Sequence, residues 1–293
     1  MAHIIDILIE ERATRLMHHP ALWSVLKRGL YPLLRYDTAR AMMDIIAPMS
    51  GDDAMDYLRE TLSMNVSATG LENIPRTGSA VVTPNHPAGI ADGIAVYEAM
   101  KRVRNDVTFL ANRDAIRICP GMTDLIVPVE WRDEARTMAK TRATLREAHR
   151  AFDQKRLVVI FPSGRLARPT PFGLWERPWQ ATAFALARKR GLPIVPMHVT
   201  GHNSLLYYLT WFVNREIKDM TLFREVINKR GRNYRIDVGE PFEPDADPAE
   251  LAKSLRRFVV YGMRRGFRRF PGVDAPRAAA GLPLLSPFYR SSR

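Results

Sequence analysis

Apolar positions recur at three- and four-residue intervals early in the chain, from Ile4, Ile5, Ile7 and Leu8 to Leu16 and Met17, with Pro20, Pro32 and Pro48 as punctuation. The spacing predicts a helical region over residues 1–63. Its segment Ala21 to Leu34 is apolar on several sides, with Lys27, Arg28 and Arg35 at one end. That segment reads either as helices packed on the core or as an interfacial pair docking on a bilayer. From about Asn65 the pattern changes to short β-rich runs: 65–69, 80–83, 107–110, 125–129, 157–161, 194–199 and 234–238. Helical stretches over 90–102, 133–154 and 179–189 separate them, and another precedes the last strand. Strands interleaved with helices indicate an α/β fold: a mixed, largely parallel central sheet flanked by helices, with an N-terminal helical extension. A closing helix, 248 to about 265, leads into a tail rich in Pro and Ala. The expected organisation is a helical, candidate membrane-docking region (1–63), a catalytic domain (64–245) and a C-terminal helix with a basic tail (246–293).

Composition narrows the picture. The chain has 293 residues, 46% hydrophobic and 26% charged, as a folded protein does. Its single cysteine, Cys119, makes no internal disulfide, and the first twenty residues show no secretory signal, so the expected compartment is cytoplasmic. The formal charge of +13, from 44 Lys and Arg against 31 Asp and Glu, calls for an anionic partner: nucleic acid, anionic lipid or a phosphorylated substrate. No segment reads as transmembrane. The longest stretch without a charged residue, Gly191 to Asn214, is broken by Pro193, Pro196 and Gly201. A protein of this kind that works on lipid sits on the bilayer surface.

Four blocks carry candidate chemistry. The first runs from Thr83 to Gly93 and holds His86 and Asp92 where an apolar strand gives way to a Gly-containing turn and a helix, the place where open α/β sheets present reactive side chains. A carboxylate that orients an imidazole makes a general base for a substrate hydroxyl. The plainer alternative is Asp92 as a helix N-cap and His86 as a hydrogen-bonded loop residue. The second block, Val107 to Asp114, ends a strand with Arg113, suited either to a phosphate or to a salt bridge with Asp114 or another acid. The third, Leu157 to Leu166, ends in Phe161-Pro162-Ser163-Gly164-Arg165, where a glycine lets a ligand approach the backbone beside a guanidinium, or simply turns the chain. The fourth, Leu192 to His198, contains Pro196 in a strand that also reads as core.

The order and spacing of these blocks over about residues 65–242, including Gly239-Glu240-Pro241-Phe242, resemble the glycerolipid acyltransferase family. The resemblance implies an O-acyltransferase that moves a fatty acyl group from a thioester to the hydroxyl of a lysophospholipid such as 1-acyl-glycerol-3-phosphate, in membrane lipid biosynthesis. It implies His86 as base and Asp92 as its partner. It further implies Arg113, Gly164 and Arg165, with Ser163 and Pro196, around the acceptor. It brings no cofactor beyond the co-substrate, acyl-CoA or acyl carrier protein, and a peripheral position at the cytoplasmic face of the membrane. Two departures matter. Five residues separate His86 from Asp92 where most members have four, which is similar to the haemolysin-like and ornithine-lipid branch. Ser163 stands where the family has a glutamate, so the acceptor is expected to differ from plain lysophosphatidic acid, with an ornithine-type lyso-lipid or a non-catalytic lipid-binding role as alternatives.

Other signals are weaker. His198 and His202 have the spacing of a metal pair on a helix, but the segment between them reads as strand and turn. Ser163 and Ser204 lack the Gly-x-Ser-x-Gly elbow of a hydrolase nucleophile. A nucleic-acid partner rests on charge alone and is not expected. Residues 205–212, rich in Leu, Tyr, Trp and Phe, suit an acyl channel, a membrane-facing helix or core packing equally. The tail from Arg256 to Arg293 holds nine arginines and one acid, Asp274, and suits an anionic membrane surface, with Ala278 to Tyr289 as an apolar stretch.

Overall fold

The computed structural model describes residues 2–130, 132 and 135–276. Five helices come first: α1 (Ile4–Glu10), α2 (Thr14–Met17), α3 (Pro20–Leu33), α4 (Tyr36–Ile46) and α5 (Gly51–Leu62). Then follow β1 (Asn65–Thr69), β2 (Ala80–Pro84), α6 (Ile90–Lys101), β3 (Val107–Asn112), α7 (Asp114–Ile118), β4 (Ile126–Val129) and α8 (Met138–Asp153). The chain continues through β5 (Leu157–Ile160), β6 (Arg168–Thr170), β7 (Gly173–Trp175), α9 (Thr182–Arg190), β8 (Ile194–Thr200), α10 (Leu205–Val213), α11 (Arg215–Ile227), β9 (Asn233–Val238) and α12 (Pro248–Arg257).

Seven strands form one mixed sheet in the order β1-β9-β8-β2-β5-β3-β4. β8, β2, β5, β3 and β4 run parallel, while β9 pairs antiparallel with β8 and carries β1 parallel to itself. The central strands β2 and β5 are buried throughout and apolar except for Thr83, because helices cover both faces. On one face α5 and α6 contribute Leu58, Leu62, Ile94 and Tyr97 to the core; on the other, α8, α9 and α12 contribute Phe152, Phe184 and Leu255. The N-terminal helices build a third core against α11, with Ile5, Leu8, Trp23 and Met43 on Met220 and Phe223. The expected mixed, largely parallel sheet flanked by helices is what the chain forms.

Several boundaries differ from the expected ones, each for a local reason. The helix expected over 133–154 starts at Met138, because the Thr137 hydroxyl accepts the Lys140 N–H at 3.2 Å and caps it; residues 133 and 134 lie outside the described residues. The helix expected from 179 starts at Thr182. The closing helix ends at Arg257 and passes into a wide turn over 258–262 and a tight one over 263–265. The β6–β7 hairpin was not expected: three-residue strands are too short to show a period, and Gly173 at φ 112° makes its turn. The apolar tail stretch Ala278 to Tyr289 lies outside the described residues.

His198 sits inside the sheet on β8, beside Asp237 of β9. Burial pushes its imidazole down to about 4, with the charges of Arg264 and Arg235 adding to this and that of Asp237 opposing it. The unfolded chain therefore takes up this proton at about pH 6.5, before the folded one does. Stability contributed by the neutral ring is complete above about pH 6.5 and declines as pH falls toward 4. His198→Gln should flatten that part of the stability curve, read from urea midpoints at pH 7.5, 5.5 and 4.5; an unchanged slope would refute the assignment.

Candidate active site

β2 and β5 are neighbours, and their carboxyl ends place the first and third blocks side by side. Beyond β2 the Asn85 amide exchanges two hydrogen bonds with the Val199 backbone, at 3.0 and 2.7 Å, which pins the loop to β8. His86 follows. Its Nδ1 lies 2.9 Å from Oδ2 of Asp92, and that same oxygen accepts the N–H groups of Ala88 and Gly89 at 2.8 Å each. Asp92 is 0% exposed, and its other oxygen has no hydrogen-bond partner among the described residues. An ionised carboxylate only accepts, so it takes the Nδ1–H of His86 and leaves Nε2 as the lone-pair nitrogen.

The two expected roles of Asp92 coincide. It stands third in α6, where a carboxylate reaching back to the N-cap N–H stabilises the helix start, and from there it holds the imidazole. Gly89 makes this geometry reachable. Its φ of 95° and ψ of −131° belong to glycine, and a Cβ there would lie 3.0 Å from the Leu166 side chain. This turn absorbs the extra residue between His86 and Asp92.

The third block closes over the ring. Phe161 packs on His86 with 4.3 Å between ring centroids, and the His86 carbonyl accepts the Ala167 N–H at 2.9 Å. Gly164 turns the chain at φ 59°, and its N–H donates to the Phe161 carbonyl at 3.0 Å. The Ser163 hydroxyl donates to the Arg165 carbonyl at 2.8 Å.

Glu176, which the sequence reading did not single out, is 4% exposed just past the hairpin. Its oxygens accept the His86 N–H at 3.3 and 3.2 Å and the Trp179 indole N–H at 3.1 Å. Burial raises its pKa, while the hydrogen bonds from Trp179 and the His86 backbone oppose the rise. Its only sequence signal is an acid framed by Trp175 and Trp179. Glu176→Gln turns one acceptor oxygen into a donor facing these N–H groups. The expected result is about ten-fold lower kcat, equivalent to ~1.4 kcal/mol, with acceptor KM unchanged; equal losses in both would mean it acts on the fold and not on the ring.

His86, Ser163, Gly164 and Arg165 open on one cavity of about 1270 Å³. Its deep wall is apolar, with Leu8, Met43, Leu58, Phe109, Leu125 and Phe223 among the side chains, so the N-terminal helices complete the pocket. Arg12 and Lys140 on this wall are neutralised by Asp114 at 2.7 Å and Glu130 at 3.0 Å. Arg177, Trp211, Arg215 and Lys218 line the same cavity, and the charge of Arg165 in the third block acts on Arg177.

Two expected binding residues lie elsewhere. Arg113 is not in the cavity wall; its guanidinium is exposed and reaches buried Glu130 at 4.0 Å, while Asp114 pairs with Arg12 and Arg117. Of the two readings of Arg113, this geometry is the salt bridge, made with Glu130. Pro196 is buried in β8 opposite Thr83, and its carbonyl accepts the Gly239 N–H at 2.8 Å, so it supports the strand and does not line the cavity. Of the two histidines spaced four apart, His198 is buried in a strand and His202 is exposed in the following loop. No group of three or more His, Cys, Asp and Glu side chains is placed to ligate a metal among the described residues.

A family model described as Acyltransferase matches residues 65–200. A lyso-glycine lipid O-acyltransferase of Phocaeicola vulgatus is 25% identical over 223 residues, covering 72% of this chain and 77% of that protein. A protein of the same name from Bacteroides thetaiotaomicron is 25% identical over 221 residues, covering 71% and 79%. The crystal structure of the 1-acyl-sn-glycerophosphate acyltransferase PlsC from Thermotoga maritima aligns over 92% of this chain and 100% of that one, at 17% identity and a TM-score of 0.46.

Proposed function

We propose that this chain, a member of the glycerolipid acyltransferase family and an acyltransferase, moves a fatty acyl group from an acyl thioester to the hydroxyl of a lysolipid. The observation that carries the reading is the His86–Asp92 pair at 2.9 Å on the wall of a largely apolar cavity. Nε2 of His86 removes the acceptor's hydroxyl proton, the oxygen attacks the thioester carbonyl, and the tetrahedral adduct expels the thiolate, which takes the proton back from the imidazolium. Oxyanion donors on the 161–165 turn come from the neighbours of Gly164, whose own N–H is spent on Phe161. The apolar wall suits the acyl chain. A coenzyme A or acyl carrier protein thioester serves as donor, without a further cofactor.

Work at the cytoplasmic face of an anionic bilayer belongs to the same reading. No helix among the described residues is long and apolar enough to cross a membrane. α10 nevertheless exposes Leu205, Leu209, Phe212 and Val213 on one side while Tyr207 and Trp211 line the cavity. That face suits interfacial docking, with lipid entering beside it.

Ser163 and the names of the two relatives favour an acceptor with an amino-acid head group over plain lysophosphatidic acid. The test is a mixed lysolipid pool with acyl-CoA and acyl carrier protein thioesters, scored by thiol release and by mass spectrometry of products. New acylated lipid with stoichiometric thiol supports the transferase; tight lysolipid binding without thiol release would replace it with a lipid-binding role.

A further inference from the structure

The cavity's cations are unevenly matched. Arg12 and Lys140 have buried carboxylates against them, whereas among the described residues Arg215 and Lys218 share the single carboxylate of Asp219. Asp219 lies 2.8 Å from Lys218 and 3.9 Å from Arg215, and no carboxylate pairs with Arg177 among the described residues. The Nε of Arg177 is buried with no acceptor, which is costly for a guanidinium donor in an otherwise folded wall. Burial, and then the charges of Arg165, Arg168 and Arg215, push Arg177 below its ordinary pKa. Arg215 opens α11, where a cation meets the positive end of the helix. This is an arrangement of repelling positive charges that an anion would relieve.

We propose that Arg177 and Arg215 bind the anionic head group of the acyl acceptor and restrict this enzyme to anionic lysolipids. The inference rests on the acyl-transfer reading and names its acceptor class. Position favours the acceptor over the donor. Arg177 follows Glu176, which holds the His86 backbone; Arg177 and His86 line the same cavity, and the charge of Arg165 on the turn that closes over the His86 ring acts on Arg177. In a lysolipid the head-group charge lies a few bonds from the attacking hydroxyl, whereas a pantetheine arm separates a donor's phosphates from its thioester. Zwitterionic heads are disfavoured for a second reason. The Trp211 indole that would receive a quaternary ammonium is already occupied by Arg177 at 5.7 Å and Lys218 at 4.5 Å from its centroid.

The test compares wild type, Arg177→Gln, Arg215→Gln and Arg177→Lys, each with unchanged circular dichroism. The acceptors are lysophosphatidic acid, lyso-glycine lipid, lysophosphatidylcholine and monoacylglycerol. Wild type should prefer the two anionic acceptors, and their order tells phosphate from carboxylate. Each Gln variant should raise the anionic acceptor's KM by about ten-fold or more, leave the thioester KM unchanged and flatten the preference, with Arg177→Lys recovering part of it. An acceptor preference unchanged in both Gln variants, or a rise in the thioester KM alone, overturns the proposal. Binding of hexanoyl-lysophosphatidic acid against hexanoylglycerol, followed by tryptophan fluorescence, decides it without turnover. Binding of the anionic probe that is no tighter, or insensitive to Arg177→Gln, sinks it even if acyl transfer is observed. Tight, Arg177-dependent binding sustains it even if the transfer assay fails.

Discussion

Replacing His86 with alanine should lower kcat by about 10²- to 10⁴-fold, with the fold retained. The acceptor hydroxyl is a weak nucleophile until its proton is removed, and the proposed mechanism gives that step to Nε2 of His86, a residue of the cavity wall whose Nδ1 meets Asp92. The ring is 17% exposed and leans on Phe161, so its removal leaves a site that water can fill, and thermal unfolding should shift little. Asp92→Asn separates the two jobs of that carboxylate. It abolishes the fixed tautomer of His86, and its amide nitrogen also faces the N–H groups of Ala88 and Gly89, which in the wild type both donate to the same Asp92 oxygen at 2.8 Å. Both activity and stability should therefore fall in Asp92→Asn, but only activity in His86→Ala. Thiol release followed with a chromogenic disulfide and a parallel melt distinguish the cases. His86→Ala with more than a tenth of wild-type kcat would end the general-base assignment.

Breaking the Glu225–Lys229 pair should cost about 3–5 kcal/mol of folding stability. The two side chains are 2% and 3% exposed, one turn apart on and just beyond α11, with the ammonium 2.9 Å from the carboxylate. Lys229 also donates to the Asn203 amide oxygen at 2.9 Å, and Glu225 accepts the N–H of Ser204 at 2.7 Å and its hydroxyl. Lys229→Met keeps the bulk and leaves the carboxylate buried without its counter-charge. The double variant Glu225→Gln/Lys229→Met should recover most of the loss, since a neutral amide still meets Ser204. Urea midpoints measure both. Because the network ties the β8–α10 loop to the helix bearing Arg215 and Lys218, a single variant that folds should also show a raised acceptor KM. A Lys229→Met loss below 1 kcal/mol would mean that water or another group already balances Glu225.

The strand-and-turn blocks were legible because each is a local event. Leu157-Val158-Val159-Ile160 followed by Phe161-Pro162-Ser163-Gly164 must be a buried strand ending in a turn, whatever lies elsewhere. The same holds for the change of period near Asn65, where β1 begins. The hairpin of β6 and β7 was not legible: three-residue strands carry no period, and their pairing depends on the turn at Gly173. Glu176 was missed because its partner, His86, is ninety residues away in sequence. Arg113 stood at a strand end in either reading, and no spacing could tell which way its side chain turns.

The pattern of residues by itself determined the class of fold, the alternation of strands and helices, the adjacency of His86 and Asp92 within one turn, and the glycine at 164. All of these depend on hydrogen bonds and side-chain periods spanning a few residues. Tertiary structure alone decided which cations face the cavity, that helices from the first sixty residues complete its apolar wall, and that a carboxylate from beyond the hairpin holds the His86 backbone. Those outcomes depend on contacts between residues such as Arg12 and Asp114, which only the closed sheet and its covering helices bring within 2.7 Å.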